Sequence, residues 1–250
     1  MTDADSTARV GVTQDLITVA RALQDYPGLT RALADPAASS VGRVQLIDQV
    51  FSGLSDQARE VVHQVTTRSW KSTTQLTQWI EQAAIRAAWQ WAQHEATVEQ
   101  AIDEVFSFGQ LMRRDHELRA AVTDPNKPVS ARQDLVRRLL TPVFTAPATQ
   151  ICLAAVAARR GTIDDSIAAF VGLGVDLVGG RLAVVTVAKP LPSDQKTRLN
   201  QALHAKLGGK LVIQEVVDPS VMGGVRVECG AEVIDDTVTS RLRQAQRDFS

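Results

Sequence analysis

Thirty-eight consecutive residues, Lys71 to Phe108, contain neither glycine nor proline. Those two residues interrupt helices, one through backbone entropy and the other through ring clash and a missing donor, so nothing in this stretch obliges the chain to turn. Leu76, Ile80, Ala83, Ala87 and Trp91 hold an apolar stripe at helical spacing through much of it. Two solutions satisfy the pattern. One is a single helix of roughly 57 Å at 1.5 Å per residue; the other is a pair of helices meeting between His94 and Thr97. In either form the stretch is long enough to bridge two bodies.

The segments on either side are helical but shorter. Before it, Leu16, Val19, Ala20 and Leu23 make an amphipathic stripe over 14–26, and Pro27 opens a short helix that ends near Asp35-Pro36. Ser39 or Ser40 caps a third helix with Leu46, Ile47, Val50 and Phe51 inward, and Ser55-Asp56 opens a fourth with Ala58, Val61, Val62 and Val65 inward. Helices this short need tertiary packing, so they predict a bundle. A second set follows over Val98–Arg114, Glu117–Asp124, a helix capped by Ser130 to Leu140, Pro147–Arg160, and a helix from the near capping box Thr162/Asp165 to about Leu177.

The two sets resemble each other. Asp35-Pro36 and Asp124-Pro125 stand 89 residues apart (124 − 35), and the same offset matches Leu29 with Leu118, Ala32 with Ala121, Arg43 with Arg132 and Leu46 with Leu135. Two extra residues near Pro142 then bring Arg68 opposite Arg159 and Trp79 opposite Phe170. Together with the matched helix order, this predicts a duplication. The first copy lacks the leading helix that Ile80–His94 provides for the second, or that helix belongs to a longer parent chain.

After Leu177 the pattern changes. Gly179-Gly180 precedes a β-branched run, RLAVVTVA, from Arg181 to Ala188. Ser193-Asp194 then caps a helix with Leu199, Leu203 and Leu207 on one face. Leu211–Val217 alternates as a strand, Asp218-Pro219-Ser220 stops it, and Gly223-Gly224 frees the backbone before the alternating Val225–Cys229. This is read as a half-buried hairpin with one wet face. Glu232-Val233-Ile234 and a charged helix from about Asp236 to Phe249 complete the pattern. The fold class expected is mainly α with a small α+β C-terminal domain: two tandem antiparallel helical bundles, then strand, helix, strand, strand, helix. The domains expected are an extra N-terminal helical bundle over 1–79, a six-helix domain over 80–178 and the α+β domain over 179–250.

Composition bounds the function. With 44% hydrophobic and 22% charged residues the chain can bury an extensive core. A net charge of −1 gives no general attraction to nucleic acid. No apolar run approaches the roughly 18 residues that span a bilayer, and Met1–Val10 has no signal-peptide core, so the sequence predicts a soluble chain able to dock on a membrane complex. Cys152 and Cys229 sit among apolar neighbours as expected of reduced core thiols.

Catalytic patterns are weak. Gly172, Gly174, Gly179 and Gly180 end a helix and precede a strand, the reverse of a dinucleotide loop. His63, His94, His116 and His204 lack metal-ligand spacing. Asp164-Asp165 and Asp235-Asp236 fall at helix starts, where carboxylates stabilise unpaired amides. Trp70, Trp79, Trp89 and Trp91 suit core packing or an exposed anchor for a partner. No catalytic, cofactor-binding or metal residue is expected.

One stretch carries a resemblance. Ile213, Val217-Asp218, Val221, Gly223-Gly224-Val225, Val227-Glu228 and Gly230 stand at the signature spacing of the δ subunit of rotary ATP synthases, the family that includes the mitochondrial oligomycin-sensitivity-conferring protein. GAEVIDDTVTSRL, residues 230–242, is similar to that family's closing GDEVIDGSVxxRL, with Ala231 in place of an acidic residue and Asp236 in place of glycine. IRAAWQWAQH (85–94) resembles its first helix and ELRAAVTDP (117–125) its second helix and turn. The resemblance covers about Ile80–Phe249; the bundle before it resembles the enlarged δ of high-GC Gram-positive bacteria, sometimes fused behind a stalk subunit.

The family implies a non-catalytic stator subunit without cofactors, peripheral on the cytoplasmic face of the bacterial membrane. It would hold the N-termini of the synthase α subunits with its helical domain and the peripheral-stalk b helices with its C-terminal domain. By that analogy Ile85, Trp89, Ala92 and Val156 border the α-binding groove. The alternative is a helical scaffold or adaptor outside the synthase.

Overall fold

The computed structural model describes residues 3–158 and 161–237. They fall into two compact units, Met1–Leu173 and Gly174–Ser250. The first is helical: α1 (Asp3–Asp25), α2 (Pro27–Ala34), α3 (Ser40–Val50), α4 (Asp56–Thr66), α5 (Thr73–His94), α6 (Val98–Arg114), α7 (His116–Thr123), α8 (Val129–Leu140) and α9 (Ala146–Ala157), with α10 (Ile163–Leu177) reaching the boundary.

The stretch Lys71–Phe108 is two helices. α5 stops at His94 because Ala96 takes a left-handed φ of 55°, which lets Thr97 N–H reach back to the Ala92 carbonyl at 2.9 Å and Ala96 N–H to that of Gln93 at 3.1 Å. α5 serves two cores. Its first half places Leu76, Ile80 and Ala84 among Leu16, Val19, Leu33, Ile47 and Val62 of α1–α4. Its second half buries Ile85, Ala88, Trp89 and Ala92, and it packs against α6 and α9. A boundary at 79/80 therefore passes through the middle of a helix. α9 is apolar on nearly every side, buried from Pro147 to Val156 except at Gln150, as suits a helix packed against α5, α6 and α8.

Caps follow the sequence in part. Ser39 accepts from Gly42 N at 3.1 Å, Ser72 from Gln75 N at 3.2 Å, and Thr162 and Asp165 cap each other reciprocally. α8 starts two residues earlier than a Ser130 cap implies, with Pro128 at the N-cap position and no side-chain cap. The starts of α4 and α9 are capped from outside: Asp15 Oδ2 of α1 accepts from Ser55 N, and Glu104 Oε2 of α6 from Thr145 N, each at 2.8 Å. Asp15 and Glu104 are 89 residues apart (104 − 15). Arg43 and Arg132, at the same offset, donate to the carbonyls of Leu33 (3.5 Å) and Val122 (3.3 Å), also a matched pair. Asp35 and Asp124 each accept from the amide two residues on, at 2.8 and 2.9 Å.

The second unit holds β1 (Gly180–Val187), α11 (Ser193–Leu207), β2 (Lys210–Val217), β3 (Val225–Cys229) and β4 (Glu232–Asp235), in a sheet of order β2-β1-β3-β4. The expected pairing of β2 with β3 is wrong. β2 runs parallel to β1, with Ala183 opposite Ile213, and β3 lies antiparallel on the other side of β1, with Val185 opposite Val227. Two causes decide this. β1 is the most deeply buried strand, with Ala183, Val185 and Val187 at 0–2% exposure, and takes the centre. α11 between β1 and β2 supplies the crossover that a parallel pair needs. The seven residues Asp218–Gly224 are also more than a tight hairpin requires, and they carry the chain across β1. The hairpin of this sheet is β3-β4, turning at Gly230 with φ 60°.

One face of the sheet, Ala183, Val185, Val187, Leu211, Val227 and Cys229, packs on Leu203 of α11 with Leu199 and Leu207 beside it. The expected charged helix to Phe249 lies outside the described residues after Thr237, as do Arg159 and Arg160.

Candidate partner-binding surfaces

The four side chains expected to border a partner groove are core. Ile85, Trp89, Ala92 and Val156 are 0%, 1%, 0% and 3% exposed, and the Trp89 indole N–H donates to the Phe170 carbonyl at 2.9 Å. The apolar stripe of α5 is used up in joining helices of its own chain and presents none of these atoms to a partner. Sequence periodicity marks such residues as inward-facing but does not say whether a groove or a core receives them.

An open groove does lie nearby. A cavity of about 560 Å³ is walled by Ile17 and Arg21 of α1 and by Leu153 and Ala157 of α9, with Glu81 and Ala84 of α5 between them. Its floor consists of small and branched apolar groups, and its rim is amide-rich and carries both charge signs. One wall comes from α1, a helix that no family motif marks in the sequence.

The signature residues form the crossing between β2 and β3. Asp218 N–H donates to the Val187 carbonyl at 2.8 Å, and its carboxylate accepts from Ser220 N at 2.9 Å; hydrogen bonding from the Ser220 hydroxyl, and then from its amide, holds the Asp218 carboxyl below its ordinary range. Gly223 and Gly224 have φ of 82° and 85°. A Cβ on Gly224 would come within 2.3 Å of the Asp236 carbonyl oxygen and 2.7 Å of Thr237 Cα. Val225 and Val227 face the core, while Glu228 is exposed and pairs with Arg226 at 2.6 Å. The motif is structural: it fixes where the chain leaves β4, and it presents no nucleophile or acid–base pair.

The thiols of Cys152 and Cys229 are free and buried. Burial, with the Glu104 carboxylate adding to it, raises the Cys152 pKa well above the ordinary thiol value, so it is an inert core group. Among the described residues no group of His, Cys, Asp and Glu is arranged to hold a metal ion, and no helix is long and apolar enough to cross a membrane.

Residues 85–249 match the family model for the ATP synthase delta (OSCP) subunit. The chain belongs to that family. An ATP synthase subunit delta from Cutibacterium acnes is 33% identical over 94% of this chain and 90% of its own length. The corresponding subunit of Streptomyces avermitilis is 31% identical over 99% and 91%, and that of Acidothermus cellulolyticus is 33% identical over 93% and 85%. These alignments take in the first bundle, which lies ahead of the family model. A chain of the Toxoplasma gondii mitochondrial ATP synthase hexamer is 23% identical, covers 68% of this chain and 96% of that one, and has a TM-score of 0.37, too low to carry argument. As an ATP synthase delta (OSCP) subunit, the chain is a non-catalytic stator component of the synthase, and the adaptor reading falls away.

Proposed function

We propose that this subunit ties the catalytic head of a bacterial ATP synthase to its peripheral stalk, with the helical unit holding N-terminal segments of the synthase α subunits and the α+β unit holding the b helices. The observation that carries the reading is the division of one family member into two bodies with separate cores, which gives a linker one body for each attachment. The groove between α1, α5 and α9 is the seat we assign to the α segment, in place of the buried Ile85, Trp89, Ala92 and Val156; an amphipathic helix laid apolar side down suits its floor. Attached this way, the subunit sits peripherally on the cytoplasmic face of the membrane.

The repeated bonds of Asp15 and Glu104, Arg43 and Arg132, and Asp35 and Asp124 support reading residues 1–79 as an incomplete duplicate of the helical domain 80–178, with the α+β domain at 179–250. The test is titration of the full chain with a labelled peptide from the α-subunit N-terminus. Binding at tens of micromolar or tighter, weakened at least about ten-fold by Ala154→Trp, is expected. No binding at that concentration overturns the attachment, and binding indifferent to the tryptophan overturns the groove.

A further inference from the structure

Three of the four tryptophans are core: Trp70, Trp89 and Trp91 are 8%, 1% and 5% exposed, whereas Trp79 is 42% exposed. Its ring is held in place. The guanidinium carbon of Arg68 lies 5.4 Å from its centroid, and the Trp70 ring packs against it at 6.1 Å with a tilt of 54°. Trp79 belongs to an outward ridge of α5 formed by Trp79, Gln82, Ala83, Arg86, Gln90 and Gln93, which recur at helical spacing over about 21 Å.

That ridge contains no carboxylate, in a chain with 28 acidic and 27 basic residues. Arg68, reaching over Trp79, and Arg86 supply two positive charges, and neither is paired with a carboxylate among the described residues. A guanidinium stacked on an indole keeps its N–H edge free to receive a carboxylate in the plane of the group. Tryptophan and arginine are also the residues whose burial dominates protein–protein affinity. Arg86 stands seven residues, two helical turns or about 10.5 Å, from Trp79.

We propose that this ridge docks an acidic amphipathic helix of another polypeptide in the assembled synthase, with an apolar side chain covering Trp79 and carboxylates two turns apart meeting Arg68 and Arg86. The surface is separate from the groove assigned to the α segment, and the inference needs only membership of the complex. Trp79, Gln82 and Ala83 precede the region common to the family, so the docking belongs to the enlarged form of the subunit.

Hydroxyl-radical oxidation, read by mass spectrometry on the isolated chain and on the intact synthase, tests it. In the isolated chain Trp79 is the fastest-oxidised tryptophan, with Trp70, Trp89 and Trp91 as internal references. In the synthase its rate falls about five-fold or more while the references hold. Carbodiimide treatment of synthase carrying Arg86→Lys then gives a zero-length cross-link to an aspartate or glutamate within a helical segment of the partner. Undiminished oxidation of Trp79 in the synthase overturns the docking. Protection without any carbodiimide link overturns the acidic helix as its occupant.

Discussion

Gly224→Ala is the substitution for which the geometry makes the sharpest demand. The added methyl would stand 2.3 Å from the Asp236 carbonyl oxygen and 2.7 Å from Thr237 Cα, both backbone, so no side-chain rotation relieves it. Moving that segment by about 1 Å strains the Asp236 N–H bond to the Val225 carbonyl, 3.0 Å long, which fastens the exit of β4 to the start of β3. Loss of that bond costs about 1 kcal/mol, the left-handed φ of 85° costs an alanine about 1–2 kcal/mol, and residual overlap brings the total to about 2–4 kcal/mol. Gly208→Ala isolates the conformational part, since φ is 66° there and nothing lies within 4 Å of the new methyl.

All four tryptophans precede Gly174, so their fluorescence reports only the helical unit. Cys229 on β3, 1% exposed, reports the other. In a Cys152→Ala background, thiol labelling through the open state should accelerate roughly 30- to 1,000-fold in Gly224→Ala and roughly 5- to 30-fold in Gly208→Ala. Labelling of Gly224→Ala no faster than of Gly208→Ala would refute the close approach of the two backbones.

Three further outcomes are expected. Trp89→Phe removes the indole bond to the Phe170 carbonyl, leaving that carbonyl only its helical partner, and opens a void, at a cost of about 2–4 kcal/mol in urea unfolding, against less than about 0.5 kcal/mol for the half-exposed Trp79→Phe; equal costs would contradict the buried bond. Ala96→Gly relieves the left-handed φ that ends α5 and should raise stability by about 0.5–1 kcal/mol, so a lowered melting temperature counts against that conformation. The Asp165 carboxyl is held below its ordinary pKa by hydrogen bonds from the Thr162 backbone amide and hydroxyl. The stabilisation is therefore present above the unfolded value near 3.8 and is lost as pH falls through the lower folded value. Wild type should exceed Asp165→Asn in stability at neutral pH and converge with it in strong acid, and a difference that persists below pH 2 would show that the charge is not the cause.

Much of this architecture was legible in residue types. Helical periodicity located the helices of the first unit, and Ser39 and Thr162 began two of them through short-range bonds that any chain of this local sequence makes. What periodicity conveys is which side of an element is inward, and the misreadings share that limit. Val225–Cys229 alternates because one face of β3 is buried, a fact equally true beside β2 or beside β1; only the length of Asp218–Gly224 and the crossover through α11 distinguish the two. Ile85, Trp89, Ala92 and Val156 are inward for the same kind of reason, and the burial that marks them removes them from any partner. The break at Ala96 was one of two readings the sequence allowed, and with neither glycine nor proline to make it, nothing in the residue types chose it over a continuous helix. The caps from Asp15 and Glu104 cross about 40 residues each, and no local window contains both ends.

Because α5 is at once the last helix of the first core and the opening helix of the second, the two bundles share a member instead of a tether. A flexible linker under a reversing torque stretches before it transmits, and the lag appears as slack. Here a push on Leu76 is a push on the same hydrogen-bonded rod that carries Ile85 and Trp89, about 20 Å further along. The first bundle thus adds to the helical unit without adding a hinge, and compliance in this part of the stator is no greater than that of a packed helix.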